Sequence, residues 1–397
     1  MQADCFPLRE LTIPQVLAAQ PAARGDKVFL AEIWTGRTWT YAQLEDAANR
    51  AAHALRAAGA AKGVHVGILM GNSAEHLVVF LGLGKLGAVA IPVNTAARGE
   101  LLRYYFDHAD AALVVVDEKL AARLDEVLPT LDRVRQVVVV GTAGEQQQVR
   151  TGHLCVRRSY TSGTTGPSKA SMLSHAAALT YGTSAAAAQG YVESDIFYVC
   201  LPLFHNNALL AATGAALVCG GSVALSQRFS TSHFWEEIRG SRATITNFLG
   251  AMSSFLWSQP ESPADDDNDL RLVSMSPMPG FAAAFERRFG LRAMSNYGLS
   301  DFGTVTAFVP GSPADKLGSI GQARRDFDLR VVDDEDFECP PGVAGELVIR
   351  SKDPWRAATG YYKMPEETMR AHRNQWFHTG DGGRHRAGAL NPFLETF

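Results

Sequence analysis

The first half of the chain alternates short apolar runs with longer stretches whose apolar residues recur at helical spacing. Apolar runs of strand length lie at residues 64–70, 88–93, 113–117 and 137–140. Helical patterns lie at residues 38–57, 73–87 and 174–188. Within the first of these, Thr40 with Gln43 three residues later predicts a capped helix start. Strands that alternate with helices predict a mainly parallel α/β sheet.

The pattern changes in the second half of the chain. Residues 198–227 contain no Asp, Glu, Lys or Arg, but they are interrupted by Pro202, His205 and the pair Gly220-Gly221. This predicts a buried helix followed by a buried strand rather than a membrane span. From residue 318 onward short β segments dominate, at 329–333 and 346–350. They predict a small β-rich subdomain near the end of the chain.

Length, composition and charge narrow the class of protein. The 397 residues predict two or three domains, and 46% apolar with 20% charged residues is ordinary for a soluble globular protein. A net charge of −4 gives no basic field, so nucleic acid is not an expected partner. The five cysteines are scattered without a C-x-x-C pair. The N-terminal residues contain no apolar core of the length typical of an export signal. Both features favour a cytoplasmic protein.

Residues 160–169 read YTSGTTGPSK and carry the most informative chemistry in the chain. Glycines let consecutive N–H groups point into one concavity that holds phosphate oxygens, and the hydroxyls add rotatable donors. Lys169 adds a positive charge. The common G-x-x-x-x-G-K-[ST] phosphate loop does not fit, because Pro167 and Ser168 separate Gly166 from the lysine. Composition alone leaves two interpretations open: a different phosphate-binding loop or a polar surface loop.

A second glycine pattern, G-x-G-x-x-G, occupies residues 82–87. A dinucleotide-binding fingerprint needs a strand before it and a helix opening after it. Here the pattern lies inside a predicted helix and precedes a predicted strand. We therefore expect these glycines to allow close helix packing rather than to bind a cofactor.

Residues 296–303, NYGLSDFG, combine side chains suited to a nucleotide and a metal ion. The Tyr297 ring can stack on adenine, and Gly298 allows a tight turn. A hydroxyl at Ser300 can bond a phosphate oxygen, and a carboxylate at Asp301 can reach Mg²⁺. Taken alone, the segment more often indicates a strand-end turn that carries a helix-capping Asp.

Together these segments resemble the adenylate-forming superfamily of acyl-CoA synthetases, aryl-CoA ligases, luciferases and peptide-synthetase adenylation domains. Residues 161–169 meet the family pattern T-S-G-T-T-G-x-x-K. NYGLSDFG resembles its Tyr-Gly-x-Thr-Glu motif, with Ser300 and Asp301 in place of Thr and Glu. WFHTGD (376–381) resembles the motif whose final Asp accepts both ribose hydroxyls. The resemblance runs from about residue 31 to residue 381.

The resemblance implies the fold of the large N-terminal domain of an adenylate-forming enzyme. That is an α/β fold of two interleaved α/β subdomains with mainly parallel sheets, at roughly residues 1–190 and 191–310. A small β-barrel-like subdomain would follow at 311–381, and residues 382–397 read as an atypical tail. The family's C-terminal lid domain, which carries its catalytic lysine, has no counterpart after residue 381, so we expect it to be absent.

The resemblance also implies a set of site residues. The expected nucleotide-binding residues are Thr161, Ser162, Gly163, Thr164, Thr165, Gly166, Lys169, Ser276, Pro277, Asn296, Tyr297, Gly298, Ser300 and Asp381. The expected catalytic residues are Lys169, Ser300, Asp301 and His205. Metal binding is expected at Asp301 and Thr165. The substrate pocket is expected at His205, Phe248, Leu249 and Gly250.

The function so implied is ATP-dependent activation of an organic carboxylic acid to an acyl-adenylate, as the first half of an acyl-CoA ligase reaction. ATP and Mg²⁺ would be required, and CoA would accept the acyl group. Three explanations of the missing lid stay open: a truncated sequence, a lid supplied by a partner protein, or a protein that works without one. Two alternatives stay open at this stage: the nucleotide-binding half of a split ligase, and a catalytically inactive relative.

Overall fold

The computed structural model describes residues 7–141, 149–150, 159–160, 168–309, 311–316, 318–386 and 393–396. The described strands are β1 (Val28–Glu32), β2 (Thr38–Thr40), β3 (His65–Leu69), β4 (Val89–Pro92), β5 (Leu113–Asp117), β6 (Gln136–Val140), β7 (Val149–Arg150), β8 (Ser159–Tyr160), β9 (Ala170–Ser171), β10 (Ile196–Val199), β11 (Ser222–Leu225), β12 (Ile245–Leu249), β13 (Leu272–Ser276), β14 (Arg292–Leu299), β15 (Gly303–Phe308), β16 (Gly321–Ala323), β17 (Phe327–Val332), β18 (Gly345–Ser351), β19 (Phe377–Arg386) and β20 (Phe393–Thr396).

The α-helices of the described residues are α1 (Ile13–Arg24), α2 (Tyr41–Ala57), α3 (Ala74–Leu86), α4 (Gly99–His108), α5 (Glu118–Val127), α6 (His175–Gln189), α7 (Thr213–Cys219), α8 (Phe234–Ser241), α9 (Met252–Trp257), α10 (Ala282–Phe289) and α11 (Pro365–Ala371). A π-helical segment, Asn207–Ala212, runs directly into α7. The predicted buried helix and strand of residues 198–227 are therefore confirmed as α7 and β11.

Two sheets organise these elements. The smaller has the order β4-β3-β5-β6-β7, and its first four strands are parallel. The larger begins β2-β1-β11-β10-β12-β13-β14, parallel from β1 to β14, and continues through β15, β16, β20, β19, β18 and β17 as an antiparallel sheet. The predicted α/β fold with mainly parallel sheets and a smaller β-rich part is confirmed. Strands β1 and β2 join a sheet built mostly from residues after 195, so the two parallel sheets are interleaved along the chain.

The local sequence explains where helix α2 begins and why helix α3 packs closely against its neighbours. The Thr40 hydroxyl accepts from the Gln43 N–H while the Gln43 side chain accepts from the Thr40 N–H, which confirms the predicted capping box of α2. In α3, a Cβ at Gly82 would lie 3.0 Å from the Ala52 nitrogen. A Cβ at Gly84 would lie 2.9 Å from the side chain of Ile13. The glycines of residues 82–87 thus allow α3 to pack closely on α2 and α1, as expected.

Both parallel sheets are covered on both faces. One buried cluster joins α2, α3, α6 and α7 with strands of both sheets. A second packs α8, α9 and α10 on the large sheet, and a third packs α4 and α5 on the small sheet. Strands buried on both faces read as continuous apolar runs, such as the run of Leu113 to Val116 in β5. Among the described residues, no helix combines the length and apolar character that crossing a membrane requires.

The final residues complete the antiparallel sheet. Strand β19 extends from Phe377 through residue 381 to Arg386, and β20 pairs with both β19 and β16. Leu394 of β20 is 1% exposed and belongs to a small apolar cluster with Val331 and Leu347. Residues 382–386 and 393–396, assigned to an atypical tail on sequence grounds, therefore belong to the sheet instead.

Candidate active site

A cleft of about 700 Å³ lies where the parallel strands of the large sheet end. The carboxyl ends of β12, β13 and β14 contribute Leu249, Ser276, Asn296 and residues 298–301. The loop after β10 contributes His205. Strand β19 closes the opposite side with residues 377–381. Ligands of α/β proteins bind at this edge of the sheet because the loops after parallel strands converge there.

Asp301 is the most buried carboxylate of the cleft, with 5% of its surface exposed. It follows β14, where the β14–β15 hairpin is so tight that a Cβ at Gly298 would lie 2.2 Å from the Gly303 carbonyl oxygen. The Ser171 hydroxyl donates to Asp301 Oδ1 at 2.7 Å. Burial raises the pKa of Asp301 to about 6, although the Ser171 hydroxyl and the charge of Lys169 act to lower it.

Lys169 lies at the same end of the cleft. Its Nζ donates to Glu367 Oε2 at 2.7 Å and lies 5.1 Å from the ring centre of Tyr361. The backbone holds these groups together, because the Met172 N–H donates to the Gly360 carbonyl at 2.9 Å. The chain that leaves the glycine- and threonine-rich loop is thus fastened to residues 359–362.

Asp381 lies on β19 across the cleft. Its backbone N–H donates to the Thr379 hydroxyl at 3.0 Å, and its Oδ2 accepts from the Tyr297 hydroxyl at 2.5 Å. The neighbouring Gly380 N–H donates to Glu346 Oε1 at 2.9 Å. These contacts fix the orientation of the Asp381 carboxylate, whose remaining lone pairs are available to a ligand with two hydroxyl donors.

A polar and partly apolar recess lies near His205. The Asn207 N–H donates to His205 Nδ1 at 3.2 Å, and the Asn247 amide donates to Asn207 Oδ1 at 3.0 Å. Tyr181 donates its hydroxyl to the Ser300 carbonyl at 2.7 Å. Ala211 and Leu249 supply the apolar part of the lining. The recess can therefore accept a group with an apolar body and a polar end.

Two aromatic residues of the expected site lie elsewhere. Tyr297 does not line the cleft: its ring packs against small apolar clusters of the antiparallel sheet, and its hydroxyl contacts Asp381. Burial, followed by the hydrogen bond to that carboxylate, raises the pKa of Tyr297. Asn296 and Gly298, its neighbours on β14, line the cleft. The expected adenine-stacking role of Tyr297 stays a prediction, and its hydroxyl fixes the neighbouring Asp381 carboxylate.

Alternation of side chains along β12 places Phe248 outside the cleft lining. Asn247 and Leu249 point towards the cleft side of β12, whereas Phe248 is 1% exposed and packs 5.5 Å from Phe234 between ring centres. Of the other expected residues, Gly250 and Pro277 are exposed and lie outside the cleft lining. Pro277 follows a cis peptide bond. Leu249 is thus the residue of the expected apolar wall that faces the cavity.

The remaining expected residues fall into two groups. Within the described part of the chain, the cleft brings together Lys169, His205, Leu249, Ser276, Asn296, Gly298, Ser300, Asp301 and Asp381. The loop residues Thr161, Ser162, Gly163, Thr164, Thr165 and Gly166 lie outside the described residues. Their expected phosphate and metal contacts stay predictions.

Comparison with known proteins identifies the family. The AMP-binding enzyme family matches residues 17–362, which is most of the chain. This chain belongs to the AMP-binding enzyme family. Similarity to a medium/long-chain-fatty-acid–CoA ligase of Mycobacterium marinum is 31% identity over 332 residues, 80% of this chain and 63% of the relative. A crotonobetaine/carnitine–CoA ligase of Salmonella paratyphi B is 27% identical over 375 residues, 87% of this chain and 72% of the relative.

Solved structures of AMP-binding enzymes have the same fold. The inhibitor-bound N-terminal domain of FACL13 from Mycobacterium tuberculosis superposes with a TM-score of 0.85 at 26% identity, covering 97% of this chain and 99% of that domain. A fatty acyl CoA synthetase of M. tuberculosis gives a TM-score of 0.85 at 25% identity, covering 98% of this chain and 78% of that one. The resemblance inferred from the sequence motifs is therefore confirmed. The chain spans less than two thirds of the M. marinum relative.

Several cleft residues of this AMP-binding enzyme were not selected from the sequence. They are Tyr181, Asn206, Asn207, Glu346, Tyr361, Glu367, Arg370, Arg373, His378 and Thr379. Asn206 and Asn207 directly follow His205, so a polar run after a strand could have indicated them. Tyr181 is the single tyrosine of the alanine-rich helix α6, and that contrast could have indicated it. Glu346 and Arg373 reach the cleft from a strand and a turn with no local pattern, so only the fold places them there.

Proposed function

We propose that this chain catalyses the adenylation half of an acyl-CoA ligase reaction. A carboxylate oxygen of the acid forms a bond to the α-phosphorus of ATP, the bond to the oxygen bridging the β-phosphorus breaks, and pyrophosphate leaves. One observation carries the proposal: Lys169, the pair Ser300–Asp301 and Asp381, far apart in sequence, line one cleft. Lys169 suits the β- and γ-phosphates, and Ser300–Asp301 suit an α-phosphate neutralised by a metal ion. Asp381 suits the ribose hydroxyls.

In this proposal, different walls of the cleft bind different parts of the nucleotide. Lys169 holds the departing β- and γ-phosphates together with the loop of residues 161–166. Ser300 donates its hydroxyl to an α-phosphate oxygen. Asp381, oriented by Tyr297, accepts both ribose hydroxyls, because an ionised carboxylate is an acceptor for two donors at once. Ser276 and Asn296, at the ends of β13 and β14, lie on the adenine side.

The residues of the cleft fit a magnesium ion held with the nucleotide. Among the described residues, no group of three or more metal-ligating side chains occurs. Mg²⁺ typically takes one or two carboxylates and completes its shell with phosphates and water. Asp301 supplies such a carboxylate, and Mg²⁺ would neutralise phosphate charge there. This is consistent with the charge of the described cleft, where Asp301, Glu346, Glu367 and Asp381 outnumber Lys169, Arg370 and Arg373.

The acid enters beside His205 in this proposal, with its body against Leu249 and Ala211. A carboxylic acid is already ionised at pH 7, so the attack needs no general base. Catalysis is then mainly positioning of two anionic reactants and compensation of their charge. The short apolar lining and the amides of Asn207 and Asn247 favour a small or medium organic acid. In the second half-reaction, the CoA thiol would attack the acyl carbon and AMP would leave.

Acid-dependent exchange of labelled pyrophosphate into ATP tests the proposal. The panel contains straight-chain fatty acids from short to long and carnitine-type acids, since the relatives bear those names. We expect exchange with at least one acid, dependent on Mg²⁺ and abolished without acid. Binding of ATP with no exchange for any acid would refute the adenylation reaction and leave nucleotide binding alone.

A further inference from the structure

The lysine assigned to phosphate binding already has an anionic partner in the cleft. Lys169 Nζ and Glu367 Oε2 are 2.7 Å apart, and both side chains are about one third exposed, at 37% and 30%. The lysine is therefore neutralised by a carboxylate of its own chain at the position where a triphosphate would need its charge. Neither group is so buried that separating the pair leaves a charge without water.

The fold holds Glu367 in this place. Glu367, Arg370 and Ala371 occupy one face of α11 at helical spacing, and all three line the cleft. The Tyr361 N–H donates to the Thr368 hydroxyl at 2.9 Å, which fastens the middle of α11 to the segment that pairs with β9. Glu366, one residue earlier, is exposed and lies outside the cleft lining.

We propose that Glu367 is an internal competitor for phosphate: its carboxylate holds Lys169 in the nucleotide-free protein and releases it when the polyphosphate of the nucleotide binds. This inference rests on the proposed function, because it requires a polyphosphate in this cleft. Glu367 thereby lowers the affinity for the β- and γ-phosphates and for free pyrophosphate, the leaving group. It sets specificity at the phosphate end of the site and not at the adenosine end.

A second contact makes the exchange feasible. Glu367 Oε1 also accepts from Arg370 Nη1, one turn further along α11. When Lys169 turns to phosphate, Glu367 keeps the arginine as a partner, so no carboxylate is left unpaired. The cost of release is then that of one partly exposed ion pair, which is small. A weak competitor of this kind limits affinity without blocking the site.

Calorimetric titration of the full chain with inorganic pyrophosphate, MgATP and adenosine tests this inference. Glu367→Gln keeps the size of the side chain and removes its charge, and Glu366→Gln is the matched control in the same helical turn. We expect E367Q to bind pyrophosphate and MgATP about threefold to fivefold more tightly, the range of one partly exposed ion pair. Adenosine affinity should not change, and E366Q should match the unmodified chain for all three ligands.

A mutant cycle separates competition for Lys169 from simple charge repulsion. Lys169→Ala alone should weaken pyrophosphate more than adenosine. In the K169A background, E367Q should lose most of its effect, because the lysine is no longer there to be released. An equal gain in both backgrounds, or no gain over E366Q, would overturn the inference. If the unmodified chain bound neither pyrophosphate nor MgATP, the proposed function itself would fail, and the inference with it.

Discussion

Replacing Asp301 by asparagine should make the ligand-free protein more stable and its nucleotide binding weaker. The carboxyl group is 5% exposed, and burial raises its pKa from 3.8 to about 6. The folded protein therefore disfavours the ionised form that metal binding needs. Asparagine keeps an oxygen that can accept from the Ser171 hydroxyl but never has to carry a buried charge.

The size of the stability difference and the pH range over which it develops follow from this pKa shift. A pKa that differs by about 2 between the folded and unfolded states changes the free energy of unfolding by about 3 kcal/mol. Because the folded pKa is raised, the contribution of Asp301 to the free energy of unfolding is fully present below about pH 4. It is lost as the pH rises through about 6. D301N lacks this loss, so its free energy of unfolding should increasingly exceed that of the unmodified chain between pH 4 and 6.5. The difference should then level off at about 1–3 kcal/mol, because an amide is an imperfect substitute for a protonated carboxyl.

Denaturant unfolding of both proteins from pH 4.5 to 7.5 measures the difference. Asp117→Asn is the control: burial raises the pKa of Asp117 to about 6 as well, and its Oδ2 accepts from the Gly71 N–H at 2.6 Å, away from the cleft. Both variants should show the same pH trend, but only D301N should lose Mg²⁺-dependent ATP binding. A D301N difference that does not vary with pH, or a less stable D301N at pH 7.5, would refute the argument from burial.

Three further predictions test the positions of Tyr297, Phe248 and Leu249. Tyr297→Phe removes the hydroxyl that orients Asp381, so ATP and adenosine should both bind about fivefold to tenfold more weakly. Pyrophosphate binding should be unaffected in calorimetric titrations, and an equal loss for pyrophosphate would contradict this role. Phe248→Ala should lower the free energy of unfolding by about 3–5 kcal/mol and leave the ranking of acids in pyrophosphate exchange unchanged, because Phe248 is a core residue. Leu249→Trp should shift that ranking towards shorter acids; an unchanged ranking would show that the acid lies elsewhere.

Sequence patterns were sufficient where one local rule decides the structure. The Thr40–Gln43 capping box, the apolar run of β5 and the helical setting of Gly82 and Gly84 depend on neighbours within a few residues or on burial of a whole face. The positions of Ser300 and Asp301 at the cleft were also predictable. They follow a strand of a parallel sheet, and the carboxyl ends of such strands meet at one edge.

Sequence patterns failed where a single step along a strand decides the environment. Phe248 lies between Asn247 and Leu249 on β12, and a shift of one position reverses the face of a side chain. A motif gives the neighbourhood of a site but not the direction of each member. Glu346 and Glu367 were missed for another reason. Their contacts with residues 380 and 169 join segments 34 and 198 positions apart.

Asp301 and Glu367, the two carboxylates near the expected phosphate position, share one property. Asp301 is held by Ser171 and Glu367 by Lys169, so each negative charge is compensated by a hydrogen-bond donor from residues 169–171. Those residues directly follow the loop expected to bind phosphate. A polyphosphate that engages Lys169 would therefore leave Glu367 paired with Arg370 alone. It would also approach the buried carboxylate of Asp301, which a divalent cation would then have to neutralise. Nucleotide binding without metal should consequently be weak in this cleft, because Lys169 is already paired with Glu367 and, among the described residues, the Asp301 carboxylate has no cation of its own to offset the phosphate charge.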